Sequence, residues 1–228
     1  MDQNEGFVDT IINSIKYGLS NIGALLIGGI ITIFAFFLIG LPFVLGYITK
    51  CIKSLLQGNN VMPDFEDIGM IAKDGIMVCI LALVYGIVIT CVMMVAYIPM
   101  IAGSIAESDA LMFLGLLLFI PVFLVLFVLG LLFQISWIIY AATDSLGKAV
   151  NPITPLKLIL ANPIGFVIAF ICTVIVGIAS GIGGMFLITI PWVAFFGYAA
   201  NAYIYTRFYQ KTVGQCCMGT AAPGYMNA

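Results

Sequence analysis

The sequence predicts an all-α fold, a polytopic helical membrane protein, and three observations carry that expectation. The composition is 63% hydrophobic and 8% charged, with a mean hydropathy of +1.21, against about a quarter charged residues in soluble domains. Runs without any charge, long enough to cross a hydrocarbon core of about 30 Å, recur along the chain. The charge that exists is gathered between them, seven of the eighteen charged residues falling between Lys50 and Val78. So few charges cannot clothe a soluble core of this size, and lipid must be the covering.

Taken in order, residues 1–21 read as an amphipathic N-terminal segment. In FVDTIINSIKYGL, Phe7, Ile11, Ile15 and Leu19 recur four apart, opposite Asp9, Asn13 and Lys16. That stripe suits a helix lying in the membrane interface. Asp2, Glu5 and Asp9 stand where a secretory signal would be basic, so the apolar run that follows reads as a retained span. Residues 22–211 read as a single transmembrane domain of about five helices. The first three spans are Ile22–Thr49, Ile76–Ala102 and Ala110–Ala142, each without Asp, Glu, Lys or Arg. From Ile164 to Thr206 the chain is again free of charge, and one straight helix of that length would measure about 65 Å, twice the bilayer. A reversal in the glycine-rich stretch Gly177–Gly184 therefore divides it into span four, Ile164–Ser180, and span five, Met185–Thr206. Residues 212–228, small and polar, are expected to be a disordered tail.

Two amphipathic cytoplasmic elbow helices are expected between spans. After a stop at Gly58-Asn59-Asn60, Pro63 with Asp64, Glu66 and Asp67 suits a first helical turn. Phe65, Ile68, Ala72 and Ile76 then recur at helical spacing with Asp64, Asp67 and Asp74 on the other side. The second elbow is expected around Thr154 as N-cap and Pro155, ending before Pro163 and Gly165. Pro63 and Pro155, and Gly75 and Gly165, each lie about 90 residues apart, the period of a parallel internal repeat. With five spans, Lys50, Lys53, Lys73, Lys148, Lys157, Arg207 and Lys211 share one side and Lys16 stands alone on the other. The positive-inside rule then gives a multi-pass protein of the cell membrane with the N-terminus outside, the C-terminus cytoplasmic and the Glu107/Asp109 loop outside.

The stretch GYITKCIKSLLQGNNVMPDFEDIGMIAKDGIMV, with LLIGGII before it, resembles a largely archaeal family of membrane proteins known as domain of unknown function 4013 (DUF4013). The residues that carry the resemblance are Gly46, Tyr47, Gly58, Pro63, Phe65, Asp67, Asp74 and Gly75. It extends over about residues 15–99, and a more distant similarity is to the membrane domains attached to some bacterial glycerophosphodiester phosphodiesterases. The resemblance implies a helical membrane fold and brings no activity or catalytic residue with it.

The residues themselves point away from catalysis. The chain has no His, and the expected spans contain no ionisable Asp, Glu, Lys or Arg of the kind proton relays and ion paths use. Thr32, Thr90, Gln134, Ser136, Thr173 and Asn201 read as partners in hydrogen bonds between helices. Asp64, Glu66 and Asp67 read as helix N-terminal charge rather than a metal site. The six Cys show no disulfide or zinc spacing, and Cys216 and Cys217 offer at most a lipidation site on the tail. With only eight Lys and Arg and a net charge of -2, nucleic acid is not an expected partner. The expectation is a protein that is not an enzyme, with no cofactor and no catalytic, cofactor-binding or metal-binding residue. It is a module contacting membrane lipid, a membrane-protein partner or a second copy, the alternative being a transporter or channel for an uncharged or lipidic solute. In a cysteine-free background, a cysteine at Glu107 should react with an impermeant thiol reagent applied to intact cells, and one at Asn59 should not. The reverse pattern would invert the orientation.

Overall fold

The computed structural model describes residues 6–35, 37–186 and 188–218, with side chains described through residue 214. The described residues form nine helices and no strand. These are α1 (Phe7–Gly18), α2 (Ile22–Ala35), α3 (Leu41–Leu56), α4 (Ile68–Ile105), α5 (Asp109–Thr143), α6 (Leu146–Val150), α7 (Ile153–Ala161), α8 (Pro163–Gly183) and α9 (Ile190–Met218). The all-helical expectation holds. Three helices among the described residues, α4, α5 and α8, are long and apolar enough to cross a membrane, and the pair α1 and α2, bent by 77°, would make a fourth. The chain divides into two compact units, one drawn from residues 1–79 and 135–228 and the other comprising residues 80–134.

In the first unit the expected span Ile22–Thr49 is corrected. It breaks into α2 and α3, about 21 Å and 24 Å long and each short of the roughly 30 Å core. The turn between them has Leu38 in the left-handed region at φ 64°. At Gly40 a Cβ would come within 2.5 Å of the Ile31 carbonyl and the Ala35 amide, so α3 doubles back along α2. The apolar turn residues Phe37, Leu38 and Ile39 are all more than 70% exposed. The other end of the hairpin is polar: Asn21 precedes α2, Lys50 lies on α3, and both donate to Asp64. Both ends of segment 22–49 are therefore at one end of the unit.

Helix α9 corrects span five. It begins at Ile190 rather than Met185, runs to Met218, and does not belong to the helices apolar enough to span. Its Phe195, Ala199, Ala200, Tyr203 and Ile204 are almost wholly buried, because α9 packs against α1, α2, α3 and α8 rather than against lipid. Gly28 and Gly29 on α2 make room for its Phe195 and Trp192 rings, and Gly18 for Phe196. The expected tail is corrected over residues 212–218, which are helical, while residues 219–228 lie outside the described residues. The reversal before α9 also falls later than expected: Gly177 and Gly181 are inside α8, and the turn begins at Gly184.

Helix α1 is present and amphipathic. Asp9 accepts the Gly6 amide at 3.2 Å, which caps its first turn. Its small and polar side, Thr10, Ser14, Tyr17 and Gly18, is buried against the protein, whereas Phe7, Val8, Ile12, Ile15 and Leu19 are exposed. A helix that hides its hydroxyls and presents its apolar side is arranged for lipid.

The first elbow is corrected as well. Residues 57–67 are irregular, and α4 begins only at Ile68, continuing without a break into the apolar run. Asp67, expected inside an elbow helix, has φ 57°, and its carbonyl accepts the Met70 and Ile71 amides that open α4. The second elbow is α7, preceded by Pro152 with Thr154 inside the helix rather than at its cap. Asn162 then breaks it from α8 by accepting the Gly165 amide at 2.9 Å, followed by Pro163 in the first turn. Pro63 and Pro155, and Gly75 and Gly165, thus occupy unlike settings, and the expected repeat is not reproduced.

The second unit is a hairpin of the later part of α4 and the earlier part of α5. Gly103 lies against Met112, Gly115 against Met100, and the rings of Tyr97 and Phe119 meet edge to face at 5.6 Å. Its surface is apolar, with Leu83, Ile87, Ile98, Phe113, Ile120 and Phe123 among the exposed residues.

Spin labels placed singly from Gly58 to Asp74 should show water accessibility without periodicity up to Asp67. Oscillation at about 3.6 residues should begin only at Ile68. Oscillation that already starts at Asp64 would restore a separate elbow helix.

Candidate functional site

The eight residues of the family pattern belong to one place, the crossing of α3 and α4 and the irregular segment between them. Tyr47 is central. Its hydroxyl donates to the Pro63 carbonyl at 2.6 Å, and its ring lies flat on Phe65, with centroids 3.9 Å apart and planes 9° from parallel. One turn further along α3, the Lys50 ammonium donates to the carbonyls of Asp64 and Glu66, both at 2.9 Å. Gly58 leaves α3 at φ 92°, in the left-handed region that glycine enters without strain. From the other side, Ser20 accepts the Met62 amide at 2.9 Å, and Asn21 donates to the Met62 carbonyl and the Asp64 carboxylate.

Below this segment the backbones of α3 and α4 touch. A Cβ on Gly46 would lie 1.8 Å from the Ile71 carbonyl oxygen, and one on Gly75 would lie 1.7 Å from the Pro42 carbonyl oxygen. Both positions therefore require glycine for the approach, the arrangement small residues give to helices packed in membranes.

Asp74, one residue before Gly75, is 5% exposed. It accepts Lys53 from α3 at 2.9 Å and the Tyr140 hydroxyl from α5 at 3.2 Å, and Lys53 also meets Asp144 at 2.5 Å. Partial burial pulls the Lys53 pKa down, but the hydrogen bonds and charges of Asp144 and Asp74 outweigh it and hold Lys53 above its ordinary value. The Asp144 carboxylate is 71% exposed, so that arm adds little. The Asp74 arm matters more, because removing Lys53 would leave a carboxylate buried with a single neutral partner. Trp137, also on α5, donates to Thr49 on α3 at 2.8 Å.

Two hollows flank the crossing. One of about 460 Å³ is walled by Ile27, Ile31, Phe34, Ile39, Phe43 and Ile71, with Gly40, Phe65 and Ile68. The other, about 490 Å³, lies beside the charged cluster and is lined by Lys53, Lys73, Asp74, Tyr140, Asp144 and three apolar residues.

The sequence pattern identified Gly46, Tyr47, Gly58, Pro63, Phe65, Asp67, Asp74 and Gly75, and each has a part in this crossing. It missed Ser20, Asn21, Lys50, Lys53, Tyr140 and Asp144, which supply the partners. Lys50 and Lys53, three apart on one helix face, gave a local signal; Tyr140 and Asp144 gave none, being about 70 residues away from Asp74. The helix-capping reading of Asp64, Glu66 and Asp67 is corrected, since Asp64 accepts Asn21 and only Asp67 adjoins α4. Thr32 and Thr90, expected to bond between helices, instead donate to Gly28 and Gly86 in their own helices. Among the described residues no three Cys, Asp or Glu side chains are grouped to hold a metal ion.

A family model described as a protein of unknown function (DUF4013) matches residues 27–189. That match takes in α3, residues 57–67 and the start of α4 but not Ser20 and Asn21, begins later than the stretch that carries the resemblance, and continues 90 residues beyond it. No curated protein and no solved structure matches the chain.

Gly46→Ala and Gly75→Ala should each lower stability by about 2 kcal/mol or more, since neither carbonyl can move without shifting a helix. Gly69→Ala, with nothing within 4 Å of its Cβ, should be neutral or slightly stabilising. Thermal unfolding in detergent measures all three, and equal midpoints for all would remove the close crossing.

Proposed function

The chain belongs to the DUF4013 family, and from that premise we propose that it is a non-catalytic membrane module contacting lipid or a membrane partner through its outward apolar surfaces. The observation that carries this reading is where the polar side chains of the first unit point. Lys50, Lys53, Asp74, Tyr47 and Asn21 hold helices and main chain to one another. That is the chemistry of a scaffold. The transporter alternative requires prolines that break helices and free carbonyls around a cavity. Of Pro42, Pro121 and Pro191, the first and last lie in the first turns of α3 and α9, where no intrahelical bond is lost, and Pro121 alone lies inside a helix, α5, which leaves that route a single place.

The hairpin of α2 and α3 supports a revised topology. The expected outside N-terminus rested on residues 22–49 crossing once. With both ends of that segment at Asp64, the α1 segment and its Lys16 share a side with Lys50, Lys53 and Lys73. On α9, Arg207 donates to Asn60 and Gln210 to the Leu55 carbonyl, so the later part of that helix returns to the same side even though it packs as core. All eight basic residues then favour one face, and the positive-inside rule favours a cytoplasmic side for both the α1 end and the α9 end.

A cysteine at Gly6 should be protected from an impermeant thiol reagent in intact cells, as one at Asn59 is. Labelling at Gly6 alone would return the single crossing. Purified protein in liposomes should move neither protons nor sodium. Gradient-driven uptake of a solute, abolished by Gln134→Ala or Asn201→Ala, would overturn the module reading in favour of transport.

A further inference from the structure

The 490 Å³ hollow beside the charged cluster has an uneven distribution of charge. On one wall Lys53 is shared by two carboxylates, Asp74 and Asp144, which leaves one negative charge in excess. On another wall is Lys73, exposed and without a hydrogen bond or ion pair among the described residues. The hollow thus offers one uncompensated charge of each sign. Asp74 is held rigidly, 5% exposed and bonded by Lys53 and Tyr140, while the Asp144 carboxylate, 71% exposed, keeps an oxygen for another donor. The remaining lining is apolar: Met70, Met77 and Leu146. Ile76, on the turn of α4 that follows Lys73, is 52% exposed.

We propose that this hollow binds the headgroup of a zwitterionic phospholipid whose cation is a primary ammonium, with the phosphate on Lys73 and the ammonium on Asp144. The proposal rests on the module reading and names its ligand. The charge pattern selects the class. An anionic headgroup would satisfy Lys73 and face the excess carboxylate. A quaternary ammonium has no N–H to give Asp144, whereas a primary ammonium has three. Charge-assisted bonds of both kinds are the strong ones. The mixed lining suits an amphiphile, with Met70, Met77 and Ile76 meeting the first apolar atoms below the phosphate. The volume is in the range of small-ligand sites.

The test uses the full-length protein in detergent, offered equimolar phosphatidylethanolamine, phosphatidylcholine and phosphatidylglycerol, with bound lipid counted by native mass spectrometry. Phosphatidylethanolamine should be retained about tenfold over the other two, a difference of about 1.4 kcal/mol. Lys73→Met should abolish that preference, Lys73→Arg should keep most of it, and Asp144→Asn should reduce phosphatidylethanolamine to the level of phosphatidylcholine. Lys157→Met, at an exposed lysine elsewhere, should change nothing, and circular dichroism checks that each variant is folded. Equal retention of the three lipids, a preference for phosphatidylglycerol, or an unaltered preference in Lys73→Met would overturn the proposal. Displacement by soluble phosphoethanolamine at equal concentration would overturn the lipid assignment in favour of a free zwitterion. Solute uptake by liposomes would defeat the module reading and leave this selectivity standing, whereas lost selectivity would defeat the site alone.

Discussion

An irregular segment at a membrane surface has to find partners for its main-chain amides and carbonyls, because each one buried unpaired costs about as much as a lost hydrogen bond. Residues 57–67 meet that constraint by drawing three helices together. Ser20 and Asn21, where α1 gives way to α2, serve Met62; Tyr47 and Lys50 of α3 serve Pro63, Asp64 and Glu66; and Asp67 opens α4 with its own carbonyl. These donors and acceptors are unlike, but their task is shared. The Lys50 ammonium, bonded to two neutral carbonyls, reinforces the turn.

The rest of the first unit follows from that attachment. With the start of α2 and the later turns of α3 both tied to the same segment, the 22–49 stretch has to fold back on itself, and its apolar turn at Phe37–Ile39 is the far end of a hairpin. The backbones of α3 and α4 can then close at Gly46 and Gly75. That closeness brings Asp74 within reach of Lys53 and Tyr140, so the buried carboxylate is neutralised by α3 and α5 together. Helix α9 fills the interior on the other side of α3, with Phe195 against Tyr47 at 5.4 Å.

Much of this was legible in the sequence, for reasons specific to each element. Composition and charge-free length reveal α4, α5 and α8, because lipid exposure demands an almost unbroken apolar sequence. The α2–α3 hairpin was hidden by the same criterion: it too is free of charge, and nothing in hydropathy separates one long helix from two short ones. The turn residues Phe37–Ile39 are themselves apolar, and the Gly40 and Pro42 that follow them read equally well as a kink within one span. Helix α9 misled in the opposite direction, since its alanines and aromatic residues read as a span but pack as a protein core. The glycines of the crossing were visible as a pattern. Their purpose became visible only when the carbonyls facing them, Ile71 and Pro42, were in place.

The account depends most on the doubling back of residues 22–56. The direct measurement is the distance between spin labels at Leu19 and Val61, both exposed, in lipid nanodiscs by pulsed electron paramagnetic resonance. The Ser20–Met62 hydrogen bond of 2.9 Å keeps these positions adjacent and predicts a separation below about 20 Å. A separation of about 40 Å, the length of a straight helix over residues 22–49, would mean that the segment crosses the membrane once and would contradict the hairpin.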